Sequence, residues 1–202
     1  MKIGIDIDGV LNSQYNFCID YGTKFCNELG KYKLENINVI DTTDMFLWGE
    51  DIAHKFWNKY RKDLVITLPA KKHSAEVIKK LKNEGNEIYI ITARRNNDEW
   101  FSNSLKKEVE SITKKWLKDN NIYYDNLILT DAYDKCAKTK QCLKHNIDIM
   151  IDDSVRICSD CIENGITTIL MDTPYNRYSN IQRVKSWKEF YRYVSNNKKK
   201  LI

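Results

Sequence analysis

Apolar residues along this chain fall into short runs that alternate with stretches of helical periodicity. Five runs have the length and composition of buried strands: Lys2–Ile7, Glu87–Thr92, Leu127–Thr130, Ile147–Ile151 and Thr167–Met171. Apolar residues recur at helical spacing in Ser74–Asn83, Asp98–Asp119, Thr139–His145, Val155–Glu163 and Trp187–Val194. Strands that alternate with helices form parallel sheets, so the pattern predicts an α/β fold with a parallel sheet and helices on both of its faces.

The stretch between the first strand and the helix at Ser74 interrupts this alternation. It is about sixty residues without a convincing core strand, which is too long for an ordinary connection. Its aromatic residues are Tyr15, Phe17, Tyr21, Phe25, Phe46, Trp48, Phe56, Trp57 and Tyr60. We therefore expect a small, mostly helical cap at residues 14–67, inserted into a core domain made of residues 1–13 and 68–202. Pro69 would mark the return to that core.

The composition is that of a folded chain of ordinary domain size. Its 202 residues are 42% hydrophobic, which is enough for a buried core, and no apolar run approaches membrane-spanning length. The 33 basic and 28 acidic residues are interspersed and give a net charge of +5. A nucleic-acid-binding surface would instead cluster its basic residues on one face. We expect neither a nucleic-acid polymer nor a membrane as a partner, and the modest positive charge suits small anionic ligands.

The cysteines are expected to be reduced thiols. The chain enters its first strand at Lys2 with no signal peptide ahead of it, so we expect a cytoplasmic protein, in which disulfides are rare. Cys158 and Cys161 form a single Cys-x-x-Cys pair, whereas a zinc site needs a second pair of ligands. We favour ordinary thiols, and a metal site that also uses Cys136 and Cys142 is the alternative.

Two carboxylates stand at the end of the first strand. Asp6 and Asp8 are separated by one residue, so their side chains point the same way from an extended backbone, and Gly9 then allows a sharp turn. In open parallel sheets the binding crevice lies at the carboxyl ends of the strands. Asp6 and Asp8 are therefore candidate active-site residues, although an Asp-x-Asp pair alone also occurs in loops with local hydrogen-bonding roles.

The second strand ends in Thr92-Ala93-Arg94, which has the groups of a phosphate site. The Thr92 hydroxyl and the backbone N–H groups around Ala93 can hold phosphate oxygens. Arg94 can add a charge-assisted hydrogen bond. We therefore predict that these three residues bind phosphate.

The fourth strand ends in Asp152-Asp153-Ser154. Adjacent carboxylates at the end of an apolar strand repel each other and resist desolvation unless a cation is present. The alternative is that Asp152 or Ser154 caps the helix that follows. With Asp6 and Asp8, these carboxylates form a hard oxygen site, and such a site suits Mg²⁺.

A cation from a separate segment should complete the site. Lys135, Lys138 and Lys140 all precede the fourth strand. Lys138 would lie at the start of a short helix, where backbone amides already favour anions. We choose Lys138 as the phosphate-binding lysine, with Lys135 as the next candidate.

These residues match a known family. Asp6–Val10, Thr92, a lysine before the fourth strand and Asp152-Asp153 resemble, in order, the four motifs of the haloacid dehalogenase (HAD) superfamily. The narrower match is to the cytosolic type C 5′-nucleotidase, or 5′(3′)-deoxyribonucleotidase, group and its bacterial relatives. Its segments are Asp6–Leu11, Ile90–Arg94, Thr113–Leu117, Ile151–Ser154 and Pro174-Tyr175-Asn176. This chain has Ala93-Arg94 where those deoxyribonucleotidases have Ser-Pro, a departure that bears on nucleotide specificity.

The resemblance implies a Rossmann-like, HAD-type core and a magnesium-dependent phosphatase. Asp6 would attack phosphorus and form an aspartyl-phosphate. Asp8 would protonate the leaving alcohol and then deprotonate the water that hydrolyses the intermediate. The metal would be bound by Asp6, the backbone carbonyl of Asp8 and Asp153, with Asp152 either a direct ligand or hydrogen-bonded behind the ligands. An acid at position 8 favours phosphatase or phosphomutase chemistry over the dehalogenase and transport-ATPase branches.

The expected substrate is a (deoxy)nucleoside monophosphate, and a sugar phosphate or another small phosphorylated metabolite is the alternative. A non-catalytic phosphate- or partner-binding module is the alternative outside enzymes. Within the cap, Tyr15, Phe46 and Trp48 are candidates for stacking on a nucleobase, and the other reading is that they form the cap's own core. A homodimer is left open.

Overall fold

The structure is a computed structural model that describes residues 1–94 and 103–198. Its elements are β1 (Lys2–Ile5), α1 (Gln14–Leu29), α2 (Thr42–Phe46), α3 (Glu50–Thr67), α4 (Ser74–Asn83), β2 (Glu87–Thr92), α5 (Asn103–Asp119), β3 (Asn126–Leu129), α6 (Ala137–His145), β4 (Ile149–Asp152), α7 (Val155–Glu163), β5 (Thr167–Met171), β6 (Arg183–Val184) and α8 (Trp187–Lys198), with a 3₁₀ turn at Pro174–Asn176.

The six strands form one parallel sheet in the order β3-β2-β1-β4-β5-β6. The first strand lies inside the sheet, where Ile3 is paired with Ile88 of β2 on one side and with Ile149 of β4 on the other. The order of strands reverses beside β1, and ligand crevices of parallel sheets open at such a point. The carboxyl ends of β1, β2 and β4 therefore converge on one place.

Alternating strand residues pack against helices on opposite faces of the sheet. Ile88 and Ile90 of β2 belong to the main core cluster with residues of α4, α5 and α8. Tyr89 and Ile91 belong to a second cluster with Cys142 of α6 and Cys161 of α7. This alternation follows from the two-residue period of a strand. The predicted α/β class, with a parallel sheet covered on both faces, is confirmed.

The structure differs from the predicted elements mainly at their ends. A sixth strand, Arg183–Val184, pairs with β5 at the edge of the sheet, and its two residues are too few to produce a recognisable period. The predicted helix Asp98–Asp119 is described from Asn103 onward, and its start at Asp98 lies outside the described residues. No helix in the described part of the chain is long and apolar enough to cross a membrane.

Helices α1, α2 and α3 lie between β1 and α4 and share their own apolar cluster. Its aromatic centre contains Phe25, Phe46, Trp48, Phe56 and Tyr60, with ring centroids 4.6–6.1 Å apart. These helices form the cap that was expected after the first strand. Where the chain leaves and re-enters the core, Asn12 and Ala70 pair in an isolated antiparallel bridge.

All six cysteines are free thiols. Five of them are buried, and Cys136 is exposed. In the described ranges, the group of potential metal ligands that lie close together consists of carboxylates and includes no cysteine.

Candidate active site

The chain turns sharply after β1, and this turn places the carboxylates of Asp6 and Asp8 at the crevice. The backbone N–H of Asp6 still donates to Ile151 of β4, at 3.1 Å, so the ladder extends to this residue. The Ile7 carbonyl then accepts from three successive amides, of which Leu11 is the nearest at 2.8 Å. Gly9 has φ +89°, a conformation that side-chain-bearing residues rarely adopt. Asp6 is thereby fixed at the end of the strand, and Asp8 lies in the turn.

Three carboxylates from two strand ends meet in this crevice. Asp6, Asp152 and Asp153 each offer one oxygen atom, and these atoms all lie within 4.8 Å of one another. All three residues are buried. Burial of such a cluster in a protein interior is unfavourable without a cation, and carboxylate oxygens are the ligands that Mg²⁺ prefers.

The pKa values of these carboxylates reflect an excess of negative charge in the cluster. Burial raises the pKa of Asp6 to about 7, with further contributions from Asp152 and Asp8 and against the attraction of Lys138. Burial also raises the pKa of Asp153 well above its usual range, and Asp152 and Asp6 add to the shift. A bound divalent cation would relieve this repulsion, so the residues present fit such an ion.

Lys138 lies in the first turn of α6 and is almost completely buried, with 6% of its surface exposed. Its Nζ donates to Asp152 at 2.7 Å and is 2.8 Å from Oδ1 of Asp6. Although burial lowers the pKa of this ammonium, the charges of Asp152 and Asp6 outweigh the effect and raise it above its ordinary value. Lys138 is therefore a permanent positive charge inside the site.

The other two lysines of this segment lie outside the site. Lys135 is exposed, and its backbone carbonyl accepts a hydrogen bond from Arg156. Lys140 is paired with Asp134 at 2.8 Å, at the protein surface. The structure thus brings Lys138, and neither Lys135 nor Lys140, to the carboxylates.

Thr92 and Ala93 reach the crevice from the end of β2, and both line its cavity. Thr92 is buried, and its carbonyl accepts from the backbone N–H of Thr130 at 2.8 Å, which fixes the strand end. These two residues therefore lie at the wall of the cavity, and their phosphate-binding role stays a prediction.

Arg94 lies elsewhere than expected. Its side chain is completely buried, and Nε donates to Oδ2 of Asp8 at 2.7 Å while Nη2 donates to Oδ1 at 2.5 Å. The guanidinium also lies 5.8 Å from the ring centre of Trp116 on α5. Arg94 is thus bound to a carboxylate and is not among the residues that line the cavity, and its contact with phosphate stays a prediction.

Asp8 is held as a carboxylate in this arrangement. Burial alone would raise the pKa of Asp8, but the charge and hydrogen bonds of Arg94, the charge of Arg61 and a hydrogen bond from Asn12 lower it to about 2. Asn12 donates to Oδ1 of Asp8 at 2.8 Å. The two residues of the Asp-x-Asp pair therefore have opposite electrostatic environments.

The polar residues at the end of β4, Asp152 and Ser154, have different hydrogen-bond partners. Asp152 accepts from the backbone N–H of Ser154 at 2.9 Å through Oδ1, while its other oxygen faces Lys138. Ser154 is the N-cap of α7, because its hydroxyl accepts from the backbone N–H of Ile157. The helix-capping alternative thus holds for Ser154, while Asp152 faces the site.

A cavity of about 340 Å³ lies between the core and the cap. Its lining from the core includes Asp6, Asp8, Thr92, Ala93, Lys138, Asp152, Asp153 and Ser154. A second cavity of about 520 Å³ adjoins it, and Gln14, Asp153 and Ser154 line both. Gln14 and Arg61 reach the first cavity from the cap, and Tyr175 lines the second. The sequence indicates no role for Gln14 and Arg61, because isolated polar residues in the cap carry no periodic signal. It singles out Tyr175 only within the segment Pro174-Tyr175-Asn176, which resembles the family.

The cap aromatics occupy different places from those expected for base stacking. Phe46 and Trp48 are each 1% exposed and stack on each other, with ring centroids 4.6 Å apart. Both rings are enclosed by the cap's own core, which favours the alternative reading, and their contact with substrate stays a prediction. Tyr15 is partly exposed and lies against Tyr175, with ring centroids 5.7 Å apart, near the second cavity.

The sequence of the chain is similar to those of known nucleotidases. Residues 1–200 match the family of the 5′ nucleotidase, deoxy (pyrimidine), cytosolic type C protein. A "putative nucleotidase" from Bacillus subtilis is 30% identical over 100% of this chain and 97% of its own length, and a nucleotidase from Clostridium acetobutylicum is 27% identical over 95% and 92%.

Solved structures show the same fold at low identity. A haloacid dehalogenase-like hydrolase from Streptococcus pneumoniae superimposes with a TM-score of 0.65 at 13% identity, covering 96% of this chain and 97% of the other. A predicted phosphatase from Clostridium acetobutylicum gives 0.65 at 13% identity, covering 96% and 98%. The fold is therefore that of HAD-like hydrolases, and the sequence match over nearly the whole chain leads to one conclusion: the chain belongs to the cytosolic type C 5′-nucleotidase family of phosphoric monoester hydrolases.

Proposed function

We propose that this protein is a magnesium-dependent phosphomonoesterase that forms an aspartyl-phosphate on Asp6 and acts on (deoxy)nucleoside monophosphates. The observation that carries the proposal is the environment of Asp6. Its carboxylate is buried at the wall of a cavity, 2.8 Å from Lys138 and within 4.8 Å of the oxygens of Asp152 and Asp153. A nucleophile of this type, with a cation beside it and hard oxygen ligands around it, suits attack on a phosphate.

In the first step an oxygen of Asp6 attacks phosphorus, and the bond between phosphorus and the ester oxygen breaks. Lys138 and the hydroxyl of Thr92 line the cavity where the equatorial phosphoryl oxygens would lie, so they can stabilise the charge that spreads over these oxygens. The leaving oxygen takes a proton and departs as an alcohol. Asp8 supplies that proton, which it took from the water molecule of the preceding turnover, and in this protonated form it cannot accept both hydrogen bonds from Arg94.

In the second step a water molecule attacks the aspartyl-phosphate, and Asp8 accepts the proton of that water. This step needs Asp8 as a carboxylate. The hydrogen bonds from Arg94 and Asn12 hold it in that form and fix its orientation. The ionised Asp8 is the form that this proposed step needs.

Asp6, Asp153 and the backbone carbonyl of Asp8 would hold the magnesium ion, with Asp152 as a further ligand or as the partner of Lys138. When bound, the ion supplies charge neutralisation between the Asp6 carboxylate and the anionic phosphate. The raised pKa of Asp6 and of Asp153 supports this assignment, because it reflects an unbalanced negative charge.

The size of the site supports a leaving group larger than a simple alcohol. The cavity beside Asp6 has a volume of about 340 Å³ and continues into a second one of about 520 Å³. Sites for small-molecule ligands commonly have volumes of roughly 300–1,000 Å³. The names of the similar nucleotidases favour a nucleotide over a sugar phosphate, which remains the second candidate.

Phosphate release from a panel of nucleoside monophosphates, sugar phosphates and an aryl phosphate, with Mg²⁺ and with EDTA, tests this proposal. We expect Mg²⁺-dependent release that is fastest with a nucleotide. Asp6→Asn should abolish turnover while the circular dichroism spectrum stays that of the wild type. Faster release from a sugar phosphate than from every nucleotide would overturn the substrate, and normal turnover of Asp6→Asn would overturn the nucleophile.

A further inference from the structure

The turn that follows β5 is tied to the metal-binding carboxylates. Asn176 is buried, and its Nδ2 donates to the backbone carbonyl of Asp153 at 2.9 Å and to that of Met171 at 2.8 Å. Its Oδ1 accepts from the backbone N–H of Thr173 at 3.1 Å, as part of a capping box. The position of the 3₁₀ turn Pro174–Asn176 is therefore fixed relative to the backbone of Asp153.

Tyr175 projects from this turn onto the side chain of Asp153. Its hydroxyl donates to Oδ2 of Asp153. Gly9 leaves the space for this contact, because a Cβ at that position would lie 1.9 Å from Oδ2 of Asp153 and 3.0 Å from the hydroxyl of Tyr175. Three separate segments of the chain therefore meet around one carboxylate oxygen.

Tyr175 is also in contact with the cap. The ring of Tyr15, in α1, lies 5.7 Å from the ring of Tyr175 at an interplanar angle of 41°. The Tyr15 hydroxyl donates to the backbone carbonyl of Ile37 at 2.7 Å, so Tyr15 is itself held by the loop between α1 and α2. A chain of contacts thus runs from the cap through two tyrosines to Asp153.

We propose that Tyr175 is a positioning residue for the divalent cation: its hydroxyl fixes the carboxylate of Asp153 in the orientation that the cation requires, and Tyr15 restrains Tyr175. The proposal rests on the magnesium part of the proposed function. A carboxylate that donates one oxygen to a metal gains orientation when its other oxygen accepts a hydrogen bond, and partners of this kind strengthen metal binding. Tyr175 gives Asp153 such a partner on Oδ2, and the proposal assigns Oδ1 to the cation.

Titration of the protein with Mn²⁺ alone tests this, with the free ion followed by electron paramagnetic resonance and with Mg²⁺ as a competitor. We expect Tyr175→Phe to weaken binding of both ions by roughly 10-fold to 100-fold, as is usual when a hydrogen-bond partner of a metal ligand is removed. Tyr178→Phe is the matched control. Tyr178 lines the second cavity, as Tyr175 does, but it is 78% exposed. Its replacement should leave the affinity for both ions unchanged.

The outcomes separate this inference from the proposed function. Equal affinity of Tyr175→Phe and the wild type would overturn the role of Tyr175 and leave the proposed phosphatase intact. A wild type that binds neither ion would overturn both this role and the magnesium dependence. If Tyr175→Phe does not fold by circular dichroism, Tyr15→Leu replaces it, with weakening of several-fold expected, and an unchanged affinity of that variant would equally overturn the proposal.

Discussion

The guanidinium of Arg94 holds the carboxylate of Asp8 through two hydrogen bonds, of 2.7 Å from Nε and 2.5 Å from Nη2. Arg94 is completely buried, and Asn12 completes the group by donating to the same carboxylate at 2.8 Å. A planar guanidinium bound in this way fixes the orientation of a carboxylate and also places a positive charge beside it. In the proposed mechanism Arg94 would therefore act through Asp8.

Substitution of Arg94 by Lys should lower kcat much more than it changes KM. Lysine keeps the positive charge but cannot form the two parallel hydrogen bonds. General acid–base catalysis contributes about 10²–10⁴ in rate, so loss of part of the orientation should lower kcat by roughly 10-fold to 100-fold. Steady-state phosphate release gives both constants. A raised KM with normal kcat would instead mean that Arg94 binds the phosphate of the substrate.

Substitution of Lys138 by Ala should abolish activity and destabilise the fold. The change leaves Asp6 and Asp152 buried without their shared ammonium, and loss of one partner of a buried ion pair costs about 3–5 kcal/mol. Urea unfolding with and without Mg²⁺ measures the loss, and the ion should recover part of it by mass action. Lys135→Ala, at an exposed position, is the control and should retain activity and stability. The reverse pattern would exchange the roles of the two lysines.

Substitution of Gly9 by Ala should disrupt the metal site. The added methyl group would lie 1.9 Å from Oδ2 of Asp153, and the positive φ of +89° adds backbone strain of about 1–3 kcal/mol. Gly165→Ala is a matched control, because Gly165 has φ +78° but open space around a Cβ. Both variants should lose stability in urea, and only Gly9→Ala should also lose Mn²⁺ affinity. Equal affinities in the two variants would contradict the close approach of Gly9 to Asp153.

Substitution of Phe46 by Ala should affect the stability of the cap and leave KM for the preferred substrate close to that of the wild type. The ring is enclosed between Trp48 and Gly22, where a Cβ on Gly22 would lie 2.2 Å from it. Removal of a buried phenyl ring costs about 3–5 kcal/mol. Tryptophan fluorescence during urea unfolding measures the change. Leu47→Ala, a neighbour that is 68% exposed, should change neither quantity. A large rise in KM without loss of stability would place Phe46 at the substrate.

The pH dependence of stability should change when Asp125 is replaced by Asn. Burial would raise the pKa of Asp125, but hydrogen bonds from the backbone N–H of Ile88, at 2.8 Å, and from Lys82 lower it below its usual value. A folded-state pKa below the unfolded one adds stability above the unfolded pKa, near 3.9, and this stability is lost as pH falls through the folded pKa.

Asp125→Asn should therefore be less stable than the wild type at pH 7, and the difference should shrink as the pH falls below about 4. Urea midpoints at several pH values measure it. A difference that is constant over this range would show that the ionised form of Asp125 contributes nothing.

The sequence by itself determined the architecture and the central carboxylates. The runs that become β2 and β4 are apolar on both faces, as buried parallel strands must be, and the helices between them show a clear 3.6-residue period. The positions of Asp6, Asp152 and Asp153 follow from this assignment, because the carboxyl ends of parallel strands meet at one edge of the sheet. Lys138 could be favoured over Lys135 because Lys138 lies at the predicted start of α6. The backbone amides at the start of a helix favour anions.

Tertiary structure alone decided which polar groups are partners. Arg94, two residues after Thr92, has the appearance of an anion ligand in the sequence, and its partner in the structure, Asp8, lies 86 residues away. Phe46 and Trp48 read equally well as exposed or enclosed rings, since α2 has only five residues and shows no period. Tyr175 gains its role from Gly9 and Asp153. Local sequence patterns show the period of the apolar residues and the ends of the strands. The partner of a charged or aromatic side chain depends instead on which distant segments the fold brings together.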